Sequence, residues 1–169
     1  SSSRMRRKTP TPCEGTGGKS PSGAIMPAMT IPAPDSPTQA DLVQAARQAQ
    51  TQAYAPYSRF QVGAAVLDEQ GRIHAGCNVE NAAYPQGACA EAAALAAMVL
   101  AGGRQARAVA VVGTGGRWIT PCGGCRQKLR EFAAPDTPVL VADAQGIRQG
   151  FTLAQLLPHA FGPEHLGPA

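Results

Sequence analysis

Across its 169 residues the chain lacks any apolar run long enough to cross a membrane. The longest stretch, Ala88 to Ala101, is interrupted by Glu91 and falls short of the roughly 18 residues a span requires. It also lacks a basic face. The net charge of +4 comes from the first residues, where Arg4, Arg6, Arg7, Lys8 and Lys19 oppose Glu14. Residues 36–169 balance ten Lys and Arg against nine Asp and Glu, too even for phosphate-backbone binding, so a small-molecule partner is expected rather than a nucleic acid. The five cysteines are odd in number and unevenly spaced, which argues against a disulfide framework. His74, His159 and His165 have no ligand-like spacing to one another or to the cysteines. Gly18-Lys19-Ser20 ends like a phosphate loop, but Cys13 stands where its first glycine belongs. Arg6-Arg7 is followed by no apolar segment of the kind an export signal carries. A cytoplasmic protein is expected.

Residues 1–37, rich in Ser, Pro, Gly and Thr, show no hydrophobic period and are expected to be a disordered tail before one domain over 38–169. Leu42, Val43, Ala46, Ala49 and Ala53 follow a helical period that Pro56 ends. Phe60–Leu67 and Arg72–Val79 read as a hairpin around Asp68-Glu69-Gln70-Gly71. A helix over Cys89–Leu100 is closed by Gly102-Gly103, and Ala108–Val112 is a buried strand. A helix over Cys125–Ala133, a strand over Val139–Ala142, a fifth over Ile147–Leu153 and a short helix over Leu153–Leu157 complete the pattern. Helices interleaved with strands after an opening hairpin predict an α/β protein, a three-layer α/β/α sandwich with a mixed, roughly five-stranded sheet.

The chemistry concentrates at two helix starts. Cys89-Ala90-Glu91 opens one and Pro121-Cys122-Gly123-Gly124-Cys125 the other. Helix N-termini lower thiol pKa, and thiolates ligate zinc. Gly123 and Gly124 let the backbone curl so that two sulfurs reach one ion. Cys89, Cys122 and Cys125 would leave a fourth position open to water, the arrangement of a catalytic zinc. Glu91 beside that water is suited to taking, storing and returning a proton. Two other readings stay open: a deaminase for another aminated base, and a structural site in which Cys77 supplies a fourth thiolate.

Cys-x-Glu followed by P-C-x-x-C is a signature of zinc-dependent nucleobase deaminases. Together with Tyr54-Ala55-Pro56-Tyr57-Ser58, Phe60-Gln61-Val62-Gly63-Ala64-Ala65, Gly76 to Tyr84, and Arg126-Gln127 after Cys125, it makes Thr38 to Phe161 resemble the small homotetrameric cytidine deaminases. The resemblance implies hydrolytic deamination of cytidine and 2′-deoxycytidine in pyrimidine salvage, with one zinc ion per subunit activating a water for attack on C4 while Glu91 shuttles protons. It further implies that Asn78 and Glu80 bond the ribose 3′-hydroxyl, that Phe60 packs on the base, and that the Ala90 N–H binds the pyrimidine O2. Ala82, Tyr84 and Phe161 would come from neighbouring subunits of a homotetramer. A negative Glu80 would disfavour a phosphate, and therefore nucleotides. The family commonly carries Arg after the catalytic glutamate, but here that position is Ala92. Three thiolates on Zn²⁺ leave about one net negative charge, so Arg126 and the backbone N–H groups of the two helix starts are the candidates to donate to the thiolates, with Arg126 expected to carry more of the load.

Overall fold

The computed structural model describes residues 38–115 and 118–167, so the expected tail lies outside the described residues. Helix α1, Gln39–Gln50, starts at a capping box in which Thr38 Oγ1 accepts from Asp41 N–H and the Asp41 carboxylate accepts from Thr38 N–H. It is shorter than its apolar period suggests. The Thr51 hydroxyl donates to Gln48 O at 2.8 Å, and Ala53 N–H turns back to Gln50 O, outside the helix. Strands β1 (Val62–Asp68) and β2 (Ile73–Cys77) form the expected hairpin, with Gly71 at φ 79° in its turn. Helix α2 (Ala90–Leu100), β3 (Ala106–Gly113), α3 (Gly123–Phe132), β4 (Pro138–Asp143), β5 (Gly146–Thr152) and α4 (Leu153–Leu156) follow in order.

The sheet runs β2-β1-β3-β4-β5, with β3 and β4 parallel and the other neighbours antiparallel. Its three central strands are buried on both faces, which is why they read as continuous apolar runs. Leu42, Val43 and Ala46 of α1 cover one face, packing with Ala65, Leu67, Ala108, Ala110 and Val112. The other face, through Ala64, Val66, Val109 and Val111, carries Leu95 and Met98 of α2, Leu129 of α3 and Leu153 of α4. The expected three-layer mixed α/β fold is therefore present.

Two glycines set how closely the helices lie. A Cβ at Gly63 would come within 1.9 Å of Ala46 O on α1, and one at Gly76 within 2.4 Å of Ala94 N and 2.7 Å of Ala90 O on α2. The first turn of α2 therefore rests directly on β2, and that contact positions Cys89 and Glu91.

Candidate metal and substrate site

Cys89 and Cys122 are the N-cap residues of α2 and α3, and neither side chain caps its own helix. Their backbone carbonyls accept the first helical bonds, from Ala93 N–H at 3.2 Å and Arg126 N–H at 3.0 Å. Both sulfurs are left free to point elsewhere, and they meet at 3.9 Å. Cys125, on the first turn of α3, brings a third sulfur, and all three lie within 4.8 Å of one another. A tetrahedral zinc with Zn–S near 2.3 Å places its sulfurs about 3.8 Å apart, so the donor set fits the ion with little movement. Cys77 is not part of this group among the described residues.

The electrostatics agree with a cation at this point. Burial, then the negative charge of Glu91, pushes the Cys125 thiol far up, and burial with Cys122 and Glu91 raises Cys89. For Cys122 burial also opposes ionisation, but the Cys125 N–H and the neighbouring thiols outweigh it and lower the value. Three thiolates crowded beside a carboxylate are unfavourable without a compensating positive ion. Glu91 is only 4% exposed, and the Cys125 thiol donates to its Oε2 at 3.3 Å. The carboxylate is thus held against the ligand set, away from bulk water.

Arg126 departs from expectation. Its Nε donates to Pro121 O at 2.8 Å, Nη1 to Leu156 O at 2.7 Å and Nη2 to Thr120 Oγ1 at 2.9 Å. The guanidinium braces the chain ahead of Cys122 against the end of α4; its bonds do not go to the sulfurs. The physical reason is the α3 geometry: the first-turn side chain reaches back over the segment that enters the helix.

The segments expected to hold substrate are zipped to the ligand-bearing one. Val79 forms a parallel bridge with Tyr54 and an antiparallel bridge with Ala88, the residue before Cys89. Asn78 accepts Val62 N–H at 2.8 Å on Oδ1 and donates from Nδ2 to Phe60 O at 2.9 Å, retaining one further N–H and one lone pair. The Glu80 carboxylate accepts from Tyr57 N–H at 2.8 Å, Ser58 N–H at 3.2 Å and the Ser58 hydroxyl. The Ser58 hydroxyl, aided by the two N–H groups and opposed by burial, holds Glu80 below the usual carboxylate range. Glu80 and Tyr84 line a cleft of about 340 Å³ with Tyr57, Ser58, Asn81 and Gly87. The Tyr57 and Tyr84 rings meet edge to face at 5.7 Å.

Phe60 is 39% exposed and stands near Gly113, whose Cβ would touch its ring at 3.4 Å and collide with Ile119 at 2.8 Å. Ala90, fully buried, begins α2, where helical N–H groups have no carbonyl partner within the helix. Ala82 and Tyr84 are exposed on the turn between Val79 and Ala88. Phe161 lies along α3, its carbonyl accepting from Gln127 Nε2 at 2.9 Å and its ring stacked on His165 at 5.1 Å. Phe161 is not among the residues that line the cleft. Tyr57, Ser58 and Asn81 also line this cleft. They are present in the Tyr54–Ser58 and Gly76–Tyr84 segments, but nothing local in the sequence marks them as cleft residues.

Residues 36–141 match the family model of the cytidine and deoxycytidylate deaminase zinc-binding region. A cytidine deaminase of Sporosarcina psychrophila is 44% identical over 128 residues, covering 76% of this chain and 94% of its own. One of Mycobacterium tuberculosis is 44% identical over 121 residues, covering 72% and 87%. The crystal structure of cytidine deaminase from Burkholderia pseudomallei superposes with a TM-score of 0.70 at 44% identity, covering 73% of this chain and 99% of that one.

Proposed function

Because this chain belongs to the cytidine and deoxycytidylate deaminase family and is a zinc enzyme that deaminates cytidine, we propose that Glu91 is its proton shuttle and that free nucleosides are its substrates. The observation that carries this reading is the buried Glu91 carboxylate in contact with a Cys125 thiol of the ligand set. Cys89, Cys122 and Cys125 would hold the zinc, which when bound would supply the Lewis acidity that makes a water nucleophilic near neutral pH. Glu91 takes a proton from that water and delivers it to N3 as the oxygen bonds to C4. The remaining hydroxyl proton then passes through Glu91 to the amino group, the C4–N4 bond breaks, and uridine and ammonia leave. The low dielectric around a carboxylate only 4% exposed strengthens each of these transfers.

Substrate selection rests on the paired segments. Asn78 retains one donor and one acceptor for a ribose hydroxyl, Glu80 retains acceptor capacity on Oε1, and Phe60 offers a half-exposed ring to the base. The Ala90 N–H, at a helix start, suits the pyrimidine O2. An ionised Glu80 disfavours a 5′-phosphate nearby, so 2′-deoxycytidine is expected to react and dCMP to react poorly. Ultraviolet assays with cytidine, deoxycytidine, dCMP, adenosine and guanine test this selection. Preference for dCMP overturns the role given to Glu80.

A homotetramer with shared sites fits the exposure of Tyr84 at 75%, Phe161 at 56% and Leu100 at 90%. It also fits an apolar groove of about 620 Å³ between α2 and α3, lined by Ala92, Leu95, Ala96, Val99 and Phe132. In that assembly Ala82, Tyr84 and Phe161 complete a neighbour's pocket. Truncation before Phe161 then weakens both assembly and turnover, and a fully active monomer in sedimentation refutes sharing. We place the activity in the cytoplasm, in pyrimidine salvage, with no nucleic-acid partner. No helix among the described residues is long and apolar enough to cross a membrane.

A further inference from the structure

The Glu80 carboxylate and the Phe60 ring belong to different segments, and one hydroxyl joins them. Ser58 Oγ–H donates to Glu80 Oε1, and the same oxygen accepts Phe60 N–H at 3.0 Å. Between these two contacts stands Arg59 at φ 58°, in the left-handed region that residues with a Cβ avoid. Its N–H closes the turn onto Ala55 O at 3.0 Å. Asn78 then grips the outgoing chain on both sides, through Phe60 O and Val62 N–H. The backbone from Tyr57 to Val62 is therefore held to residues 78–80 through Tyr57 N–H, Ser58 N–H, Phe60 O and both polar groups of Val62, and the unfavourable turn at Arg59 sits in the middle of that clasp.

We infer that Ser58 is a positioning residue for nucleoside binding: its hydroxyl bridges Glu80 to the Phe60 backbone, holds Arg59 left-handed and so sets the distance between the base contact and the sugar contact. This rests on the roles proposed above for Phe60 and Glu80. A hydroxyl is required because one oxygen must donate to a carboxylate and accept from an amide at once, which neither Ala nor Cys does well. Without it Glu80 loses the hydroxyl that orients Oε1, and the Arg59 turn is free to relax to negative φ, moving the Phe60 ring relative to Glu80. Ser58 touches no reacting atom here, so its effect falls on binding.

In the full zinc-loaded chain, Ser58→Ala should raise KM for cytidine about tenfold, the size of one lost charge-assisted hydrogen bond, with kcat changed by less than about twofold. Ser58→Thr keeps the bridging oxygen and should restore KM. Adding Arg59→Gly to Ser58→Ala removes the Cβ penalty of the turn and should recover part of the lost affinity. Phe60→Ala and Glu80→Gln run in parallel separate the two ways of failing. If both raise KM and Ser58→Ala does not, the clasp is refuted and the substrate contacts stand; if neither raises KM, the contacts themselves are wrong and the clasp falls with them. A Ser58→Ala variant that only lowers kcat, or only lowers Tm with KM intact, overturns the positioning role.

Discussion

Glu91, on the first turn of α2, accepts a hydrogen bond at 3.3 Å from the thiol of Cys125, on the first turn of α3. The proposed proton shuttle and one sulfur of the three-cysteine cluster thus meet across two helices that are far apart in sequence. Their contact depends on both helix starts being anchored, one by β2 and the other by Arg126.

Changing Glu91 to Gln keeps its size and a hydrogen-bonding group but removes the carboxylate proposed as proton shuttle. Turnover of cytidine should fall by at least about a hundredfold, while metal analysis still finds one zinc per subunit. A variant that produces uridine at the normal rate overturns the shuttle.

The three-sulfur cluster makes a separate forecast about metal retention. Cys77→Ser should leave zinc content unchanged, whereas serine at Cys89, Cys122 or Cys125 should lower it sharply, since each sulfur is one of three ligands. Loss of zinc from the Cys77 variant would restore the four-cysteine structural alternative.

For Arg126 the three bonds to Pro121 O, Leu156 O and Thr120 Oγ1 replace a charge-balance role with a mechanical one. Arg126→Ala should cost about 1–3 kcal/mol of stability and about tenfold in zinc affinity or turnover, by loosening the entry to α3. The pH profile of the remaining activity should not move, and installing Arg at Ala92 should not rescue it. A shifted acid limb with unchanged Tm would return the guanidinium to the thiolates.

Acid stability should depend on the hairpin turn. Burial pushes the Asp68 carboxyl up, but hydrogen bonds from His74, from Arg72 through backbone and guanidinium, and from Gln70 N–H outweigh it and hold it at about 2, below its ordinary 3.8. A folded value below the unfolded one means that this stabilisation is fully present above about pH 4 and is lost as pH falls through about 2. Asp68→Asn should therefore be less stable than the native chain at pH 7, by about 1–3 kcal/mol, with the gap closing toward pH 2 in thermal melts. A gap independent of pH would assign the loss to packing alone.

Much of this architecture was legible because the decisive residues mark local structure. Cys89 and Cys122 stand where helical patterns begin, so the spacing that announces the ligands also announces the helices that aim them. The central strands were readable from Val- and Ala-rich runs, since burial on both faces leaves no polar alternation to confuse. Ala53 fits the helical period of α1 but lies beyond it, because the Thr51 hydroxyl turns back on Gln48 and periodicity carries no stop signal there. The Arg126 brace and the Ser58–Glu80 bridge were illegible for a different reason. The Arg126–Leu156 and Ser58–Glu80 contacts join residues more than twenty positions apart, and the left-handed turn at Arg59 has no glycine or asparagine to flag it.

The bare backbone contact at Gly76 also limits how this hairpin can vary. Because residues alternate faces, sliding β2 by one position would bring the methyl of Ala75 or the thiol side chain of Cys77 against Ala94 N and Ala90 O, where even a Cβ does not fit. The glycine therefore acts as an index mark: only one alignment of β2 on β1 lets α2 seat. Insertions near the Asp68–Gly71 tip must loop outward rather than shift the strand, so length changes in the hairpin leave the distance between Cys89 and its partner sulfurs untouched.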